Sequence, residues 1–227
     1  MRRLFWGLAA VLLVSWVPLQ AKLSVSPVII EAEQVKAGQS FAVLLRQEGQ
    51  KPLELELSWA LFDQDPAGSV VLLEDPDSVK RAEGLLAVEP SRLVVQPGES
   101  VEVAVRVLQA DVQQLYAALL VRPVRSGPPT RLAVLFLLST GQQRPRVGVA
   151  AWERSGKALT LTLENSGLSH GLWEGELLLF DAAGQLGETR RVQSGLVLPG
   201  RCRGLEVSLP GWVENVEIRP LQLGEGP

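Results

Sequence analysis

The 227-residue chain has one cysteine, one histidine, one tyrosine and one methionine, and aromatic residues make up 5% of it. A lone Cys202 cannot close an intrachain disulfide, so each domain must be held by its hydrophobic core, even in an oxidising compartment. One histidine, His170, and one cysteine would leave a zinc site to carboxylates, an uncommon arrangement, and no cofactor is expected. Basic charge is scarce as well. With residues 1–21 removed, which takes away Arg2 and Arg3, 20 basic side chains face 25 acidic ones, a net charge of −5. Such a balance offers no phosphate-tracking surface, so a nucleic-acid partner is not expected. Long apolar runs are limited to Leu4–Val17, shorter than the roughly 20 residues that cross a bilayer.

That run follows Arg2-Arg3 and precedes Pro18, Leu19, Gln20 and Ala21, the order of a secretory signal peptide with Ala21 as the last residue before cleavage. The mature product is expected to begin near Lys22, to be soluble without stable membrane insertion, and to reside in the periplasm or another extracytoplasmic space. Cys202 lies far from this segment, which disfavours a lipid anchor.

What the mature chain has in abundance is alternation with period two. Leu53, Leu55, Leu57 and Trp59 share one face of a strand, with Glu54, Glu56 and Ser58 opposite. Val101, Val103, Val105 and Val107 do the same, as do Leu159, Leu161 and Leu163 against Thr160 and Thr162. Turn pairs separate these runs: Ala37-Gly38, Pro97-Gly98, Pro199-Gly200 and Pro210-Gly211, with Asn165-Ser166-Gly167 between. Pro-Gly suits a type II turn, where proline presets the first central residue and glycine accepts positive φ at the second. No long amphipathic helix stands out. The expected fold is all-β, two tandem immunoglobulin-like β-sandwich domains after a cleaved signal peptide.

The polar stretch Gly141-Gln142-Gln143-Arg144-Pro145-Arg146 reads as a linker, giving a signal peptide at 1–21, a first domain at 22–140, the linker at 141–146 and a second domain at 147–227. An internal echo supports two related domains. Val94-Val95-Gln96-Pro97-Gly98 followed by Val103, Val105 and Val107 matches Leu196-Val197-Leu198-Pro199-Gly200 followed by Leu205, Val207 and Leu209.

Two chemical motifs occur in contexts that do not suit them. Gly167-Leu168-Ser169-His170-Gly171 fits the G-x-S-x-G pattern of hydrolases, but Leu172–Phe180 reads as a strand where a helix is needed, and the sole histidine sits inside the motif. A glycine-rich turn is expected there, and the protein is expected not to be an enzyme. Asp63, Asp65, Gly68 and Glu74 occupy the first, third, sixth and twelfth positions of an EF-hand pattern, but Ala67 and Val71 fill the fifth and ninth. An acidic hairpin or loop held open by Pro66 and Gly68 is the favoured reading, with calcium as the minor alternative.

One strand asks for a partner. Leu132, Val134, Phe136 and Leu138 can fill a sandwich, which turns Ala133, Leu135 and Leu137 outward. Residues 115–121 are similarly two-sided, with Tyr116, Ala118 and Leu120 opposite Leu115, Ala117, Leu119 and Val121. Neighbouring strands of this kind would join into an apolar patch. Either an incoming strand of another polypeptide pairs there by β-augmentation, or the second domain or a loop covers the patch.

The first domain resembles the N-terminal domain of periplasmic pilus-assembly chaperones. The likeness rests on Leu23-Ser24-Val25-Ser26-Pro27-Val28-Ile29, on Glu89-Pro90-Ser91-Arg92-Leu93-Val94-Val95-Gln96-Pro97-Gly98 leading into a valine strand with Arg106, on Leu115-Tyr116-Ala117, and on the apolar strand from Leu132. It spans roughly residues 22–140; the second domain is similar only through its sandwich pattern and Leu198-Pro199-Gly200. The resemblance implies two immunoglobulin-like domains set as a boomerang, and a last strand of the first domain that lends alternating apolar residues to an incomplete subunit of a pilus or surface fibre. Leu132, Ala133, Val134, Leu135, Phe136, Leu137 and Leu138 are then the partner-binding candidates. The alternative is a structural or adhesive module that stays within an extracytoplasmic assembly.

Overall fold

The computed structural model describes residues 23–124 and 131–221. The signal-peptide reading of residues 1–21 falls outside the described residues. The first sandwich opposes a sheet of β1 (Leu23–Ser26), β3 (Ser40–Gln47), β8 (Ser100–Val107) and β6 (Leu86–Glu89) to a second sheet. That second sheet runs β2 (Ile29–Ala32), β10 (Leu132–Ser139), β9 (Gln114–Pro123), β4 (Leu53–Gln64) and β5 (Val70–Leu73), with β7 (Arg92–Val95) also on β4. The other sandwich packs β11 (Val147–Ser155), β12 (Ala158–Asn165) and β15 (Cys202–Ser208) against β14 (Leu186–Gln193), β13 (Glu174–Phe180) and β16 (Asn215–Pro220).

The period-two rows become the cores. Leu53, Leu55, Leu57 and Trp59 of β4 and Val103, Val105 and Val107 of β8 are buried together in the first sandwich. Leu159, Leu161 and Leu163 of β12 are buried in the second, beside Trp173, Leu177 and Leu179. Full burial of one such leucine is worth roughly 1.5–3 kcal/mol relative to exposure, which is what makes the alternation so visible in the sequence.

The sequence reading placed no helix, yet α1 spans Pro76–Leu85. Asp75 caps it by accepting from the Ser78 N–H at 3.0 Å, Pro76 sits in the first turn where no backbone donor is required, and Ala82 and Leu85 enter the first core. Ten residues with so few apolar positions give a weak helical period, and the acidic, proline-containing stretch before it reads as loop.

The internal echo has a structural counterpart. Gln96–Glu99 and Leu198–Arg201 each close an i to i+3 turn, with Gly98 at φ 76° and Gly200 at φ 66°. The Gly98 N–H bonds the Gln47 carbonyl at the end of β3, and the Gly200 N–H bonds the Asn165 carbonyl at the end of β12, both at 2.8 Å. Gln47 and Asn165 are both buried polar residues whose side-chain oxygen accepts from the N–H two residues on, Gly49 and Gly167. The same device thus pins β3 to β8 in one sandwich and β12 to β15 in the other. Pro210-Gly211 departs from the expectation: the turn there bonds Val213 N–H to the Pro210 carbonyl, so proline is its first residue and Gly211 has no need of positive φ.

Candidate functional site

β10 pairs antiparallel with β9 from Leu132↔Val121 to Ser139↔Gln114. Its even-numbered row enters the core, where Phe136 meets Trp59 edge-on at 5.4 Å and Phe41 at 6.1 Å. Its odd row, Ala133, Leu135 and Leu137, joins Tyr116, Ala118 and Leu120 of β9 and Ala60 and Phe62 of β4 in a separate apolar cluster on the outer face of the sheet. Leu196 and Leu198 of the second domain belong to the same cluster, and Leu137 and Leu198 are almost fully buried. The second domain therefore covers the end of the patch nearest the linker, while Ala133 and Leu135 stay half-buried.

The far edge of β10 is partly occupied by β2, which the sequence did not place there. β2 pairs parallel with it, Ile29–Ala32 against Leu135–Leu138, and the Leu135 N–H donates to the Val28 carbonyl at 2.9 Å. Among the described residues, Leu132–Val134 has a strand neighbour on the β9 side only. Val28 and Ile29, beside this gap, are 59% and 52% exposed. The sequence signal for them was the apolar run Val28-Ile29-Ile30.

A set of polar contacts locks the domains together beside the apolar cluster. The Gln64 amide donates to the Leu196 carbonyl at 2.7 Å and accepts from the Leu198 N–H at 3.1 Å. The Gly204 N–H donates to the Pro66 carbonyl at 2.9 Å. Arg201 grips Asp63 with two bonds of 2.7 and 2.6 Å, and its guanidinium holds the Asp63 carboxyl below the usual aspartate range. His170 lies between Glu31 of β2, 2.6 Å from Nε2, and the Tyr116 hydroxyl, 3.3 Å from Nδ1. Burial pushes the Tyr116 phenol up to about 12, with the nearby Glu31 charge adding to the rise, so the hydroxyl stays protonated under ordinary conditions.

These contacts give both motifs a structural role, an acidic hairpin and a glycine-rich turn. Asp63 is committed to Arg201, and Asp65 accepts from the Ser69 N–H at 2.8 Å, closing a β4–β5 hairpin with Gly68 at φ 85°. Among the described residues, no group of three or more His, Cys, Asp or Glu side chains is arranged to hold a metal. In the serine motif, the nearly buried Ser169 hydroxyl donates to the Gln143 carbonyl at 3.0 Å, while His170 reaches the other domain. Its glycines make room for the residues read as the linker: a Cβ at Gly167 would meet the Arg146 backbone nitrogen at 2.4 Å, and one at Gly171 the Pro145 ring.

Asn165 ties this region into one piece. Its side-chain oxygen accepts from the Arg146 and Gly167 N–H groups, and its amide donates to the Ser169 and Val197 carbonyls, all within 2.8–3.1 Å. The Leu168 N–H adds a bond to the Arg144 carbonyl. The chain between the sandwiches is thus fastened to the second domain, and the loop it is fastened to carries His170 to the first. No helix of the described residues is long and apolar enough to cross a membrane.

No protein-family model and no curated protein sequence matches the chain. Solved structures with a similar fold do exist. The class 5 fimbriae chaperone CfaA is 11% identical, with 91% of this chain and 95% of that one covered and a TM-score of 0.56. A chain of the chaperone–tip adhesin complex of CFA/I fimbriae biogenesis is 12% identical, with 88% and 94% covered and a TM-score of 0.54. The architecture is therefore the two-domain, immunoglobulin-like fold of the fimbrial chaperones. The likeness takes in both sandwiches, beyond the residues 22–140 that carried the resemblance in the sequence.

Proposed function

We propose that this protein is a periplasmic or otherwise extracytoplasmic chaperone-like protein that holds incomplete subunits of a pilus or surface fibre by strand pairing. Residues 22–140 form the domain that pairs, 141–146 the linker and 147–227 the second domain. The protein acts by binding, without catalysis. The observation that carries this reading is the edge formed by β2 and the start of β10, where Leu132–Val134 lacks a second strand neighbour among the described residues and Val28 and Ile29 are exposed. Stable proteins blunt such edges with charge, proline or cover. An apolar edge of this kind suits a strand with alternating apolar side chains and free backbone groups, which is what an unfinished sandwich subunit presents. The fold shared with chaperones of fimbriae supports the choice of client.

Ile29→Arg tests the reading. Ile29 is more than half exposed, so the variant is expected to unfold within about 0.5 kcal/mol of the parent while losing the fibre subunits that co-purify with the parent from the native envelope. Undiminished subunit recovery would overturn strand pairing at this edge. Presence of the protein in finished, washed fibres would assign it instead as a structural module.

A further inference from the structure

The two sheets of the second domain end in four edge strands, and one edge differs from the others. β14 carries Glu188, Arg190 and Arg191, β15 carries Arg203 and Glu206, and β16 carries Glu217 and Arg219 before Pro220. Charge and proline of this kind keep an edge from pairing. β11 is paired with β12 alone, and residues 147–152 on it hold neither a charge nor a proline. Trp152 lies 54% exposed there.

The register with β12 fixes which way each residue faces. Val147, Val149 and Trp152 stand opposite the buried Asn165, Leu163 and Leu161 and share the core face. Gly148, Ala151 and Glu153 stand opposite Glu164, Thr162 and Thr160 and face outward. A bulge at Ala150 inserts one residue, so core-facing positions are odd-numbered before it and even-numbered after it. Arg146, one step before Val147, takes the outer face by alternation. Arg146 and Glu153 are both exposed, and neither has an ionic partner among the described residues.

An antiparallel neighbour sets residues of the same face opposite one another. For a second copy of β11, related by a two-fold axis through the sheet, the change of parity at the bulge leaves two registers that keep this match from end to end. One puts Val147 opposite Arg154, whose guanidinium already donates to the Val213 and Glu214 carbonyls, and leaves Arg146 facing Ser155. The other puts Val147 opposite Trp152 and Arg146 opposite Glu153, at both ends of the pair. Opposite charges, and an aromatic against a β-branched residue, are favourable cross-strand pairs. Gly148 then meets Ala151 on the outer face, where a Cβ added at Gly148 would touch nothing, so the approach is open.

We propose that two copies of this protein join through β11 as a two-fold symmetric dimer, in the register that pairs Arg146 of each copy with Glu153 of the other. The two β11–β12–β15 sheets thereby become one continuous sheet. A second copy is the fitting occupant because the edge complements itself: the charge at one end is opposite to the charge at the other, with an uncharged stretch between. The contact uses no residue of the β2–β10 edge, which belongs to the other domain, and does not depend on what that edge binds.

Sedimentation of the purified full chain over a range of concentrations tests this, and should show monomer and dimer in equilibrium. Arg146→Glu and Glu153→Arg each set like charges against one another at both ends, and each should weaken the dimer about tenfold or more. Combining the two substitutions restores opposite charges and should restore the dimer. Both side chains are exposed, so the unfolding midpoints of all three variants should match the parent, which separates lost pairing from lost folding. Trp152 should be shielded from a dissolved quencher in the dimer and accessible in the single variants. A parent that stays monomeric at every concentration, a dimer indifferent to the single reversals, or a combined variant that fails to recover pairing would each overturn the proposal. So would a different polypeptide seated on β11 in the native envelope.

Discussion

Replacing Asn165 tests how the second domain presents its loop to the first. The side chain is fully buried and makes four hydrogen bonds, two as acceptor and two as donor. Asn165→Ala strands the Arg146 and Gly167 N–H groups and the Ser169 carbonyl, while the Val197 carbonyl keeps its bond from the Gly171 N–H. At about 1 kcal/mol for each of these three, the low end of the cost of an unsatisfied buried polar group, the loss is about 3 kcal/mol. That is a large fraction of the 5–15 kcal/mol typical of a folded protein. Asn165→Asp separates the two halves of the argument: a carboxylate keeps both acceptor roles but has no proton for the two carbonyls. Protonation restores one donor, so the folded state raises the pKa of this introduced acid above its unfolded value near 3.9. A group shifted upward stabilises the fold below its unfolded pKa and loses that contribution as pH rises through the folded one, so the Asp variant should recover stability on acidification. Urea unfolding read by tryptophan fluorescence suits the purpose, because Trp152, Trp173 and Trp212 report the second domain and Trp59 the first. An Asn165→Ala midpoint within about 1 kcal/mol of the parent, or an Asp variant with no gain at acid pH, would refute the reasoning.

Two further outcomes follow from the interdomain contact. Asp63 has its pKa lowered chiefly by hydrogen bonds from Arg201, so its contribution is present above the ordinary aspartate value near 3.9 and fades as pH falls through the lower folded value; Asp63→Asn should remove that acid-induced loosening, measured as the distance between labels placed on the two domains. Leu137→Arg places a charge beneath Leu198 in the outer cluster, at a cost of several kcal/mol, and should open the domains before either sandwich unfolds, whereas Ile29→Arg should leave that transition where it was.

The sequence by itself determined the strands with strong period-two rows and which of those rows is buried. Leu159, Leu161 and Leu163, or Val103, Val105 and Val107, announce a buried row because alternation is imposed residue by residue by the pleat. The two-sided row of Leu132–Leu138 was legible for the same reason, and so were the Pro-Gly turns at Gly98 and Gly200. Helix α1 was not, since its few apolar positions left too weak a period to stand against Asp75 and Pro76. Tertiary structure alone decided what meets the outward row. Gln64 finds Leu196 across 132 residues of sequence and His170 finds Glu31 across 139, and no local pattern encodes such distances. The G-x-S-x-G residues show the difference most plainly: their context reads as a glycine-rich turn, but only packing shows that Gly167 and Gly171 seat Pro145 and Arg146 while His170 reaches Glu31 of the first domain. Periodicity records whether a side chain is buried; which element buries it depends on how the whole chain closes.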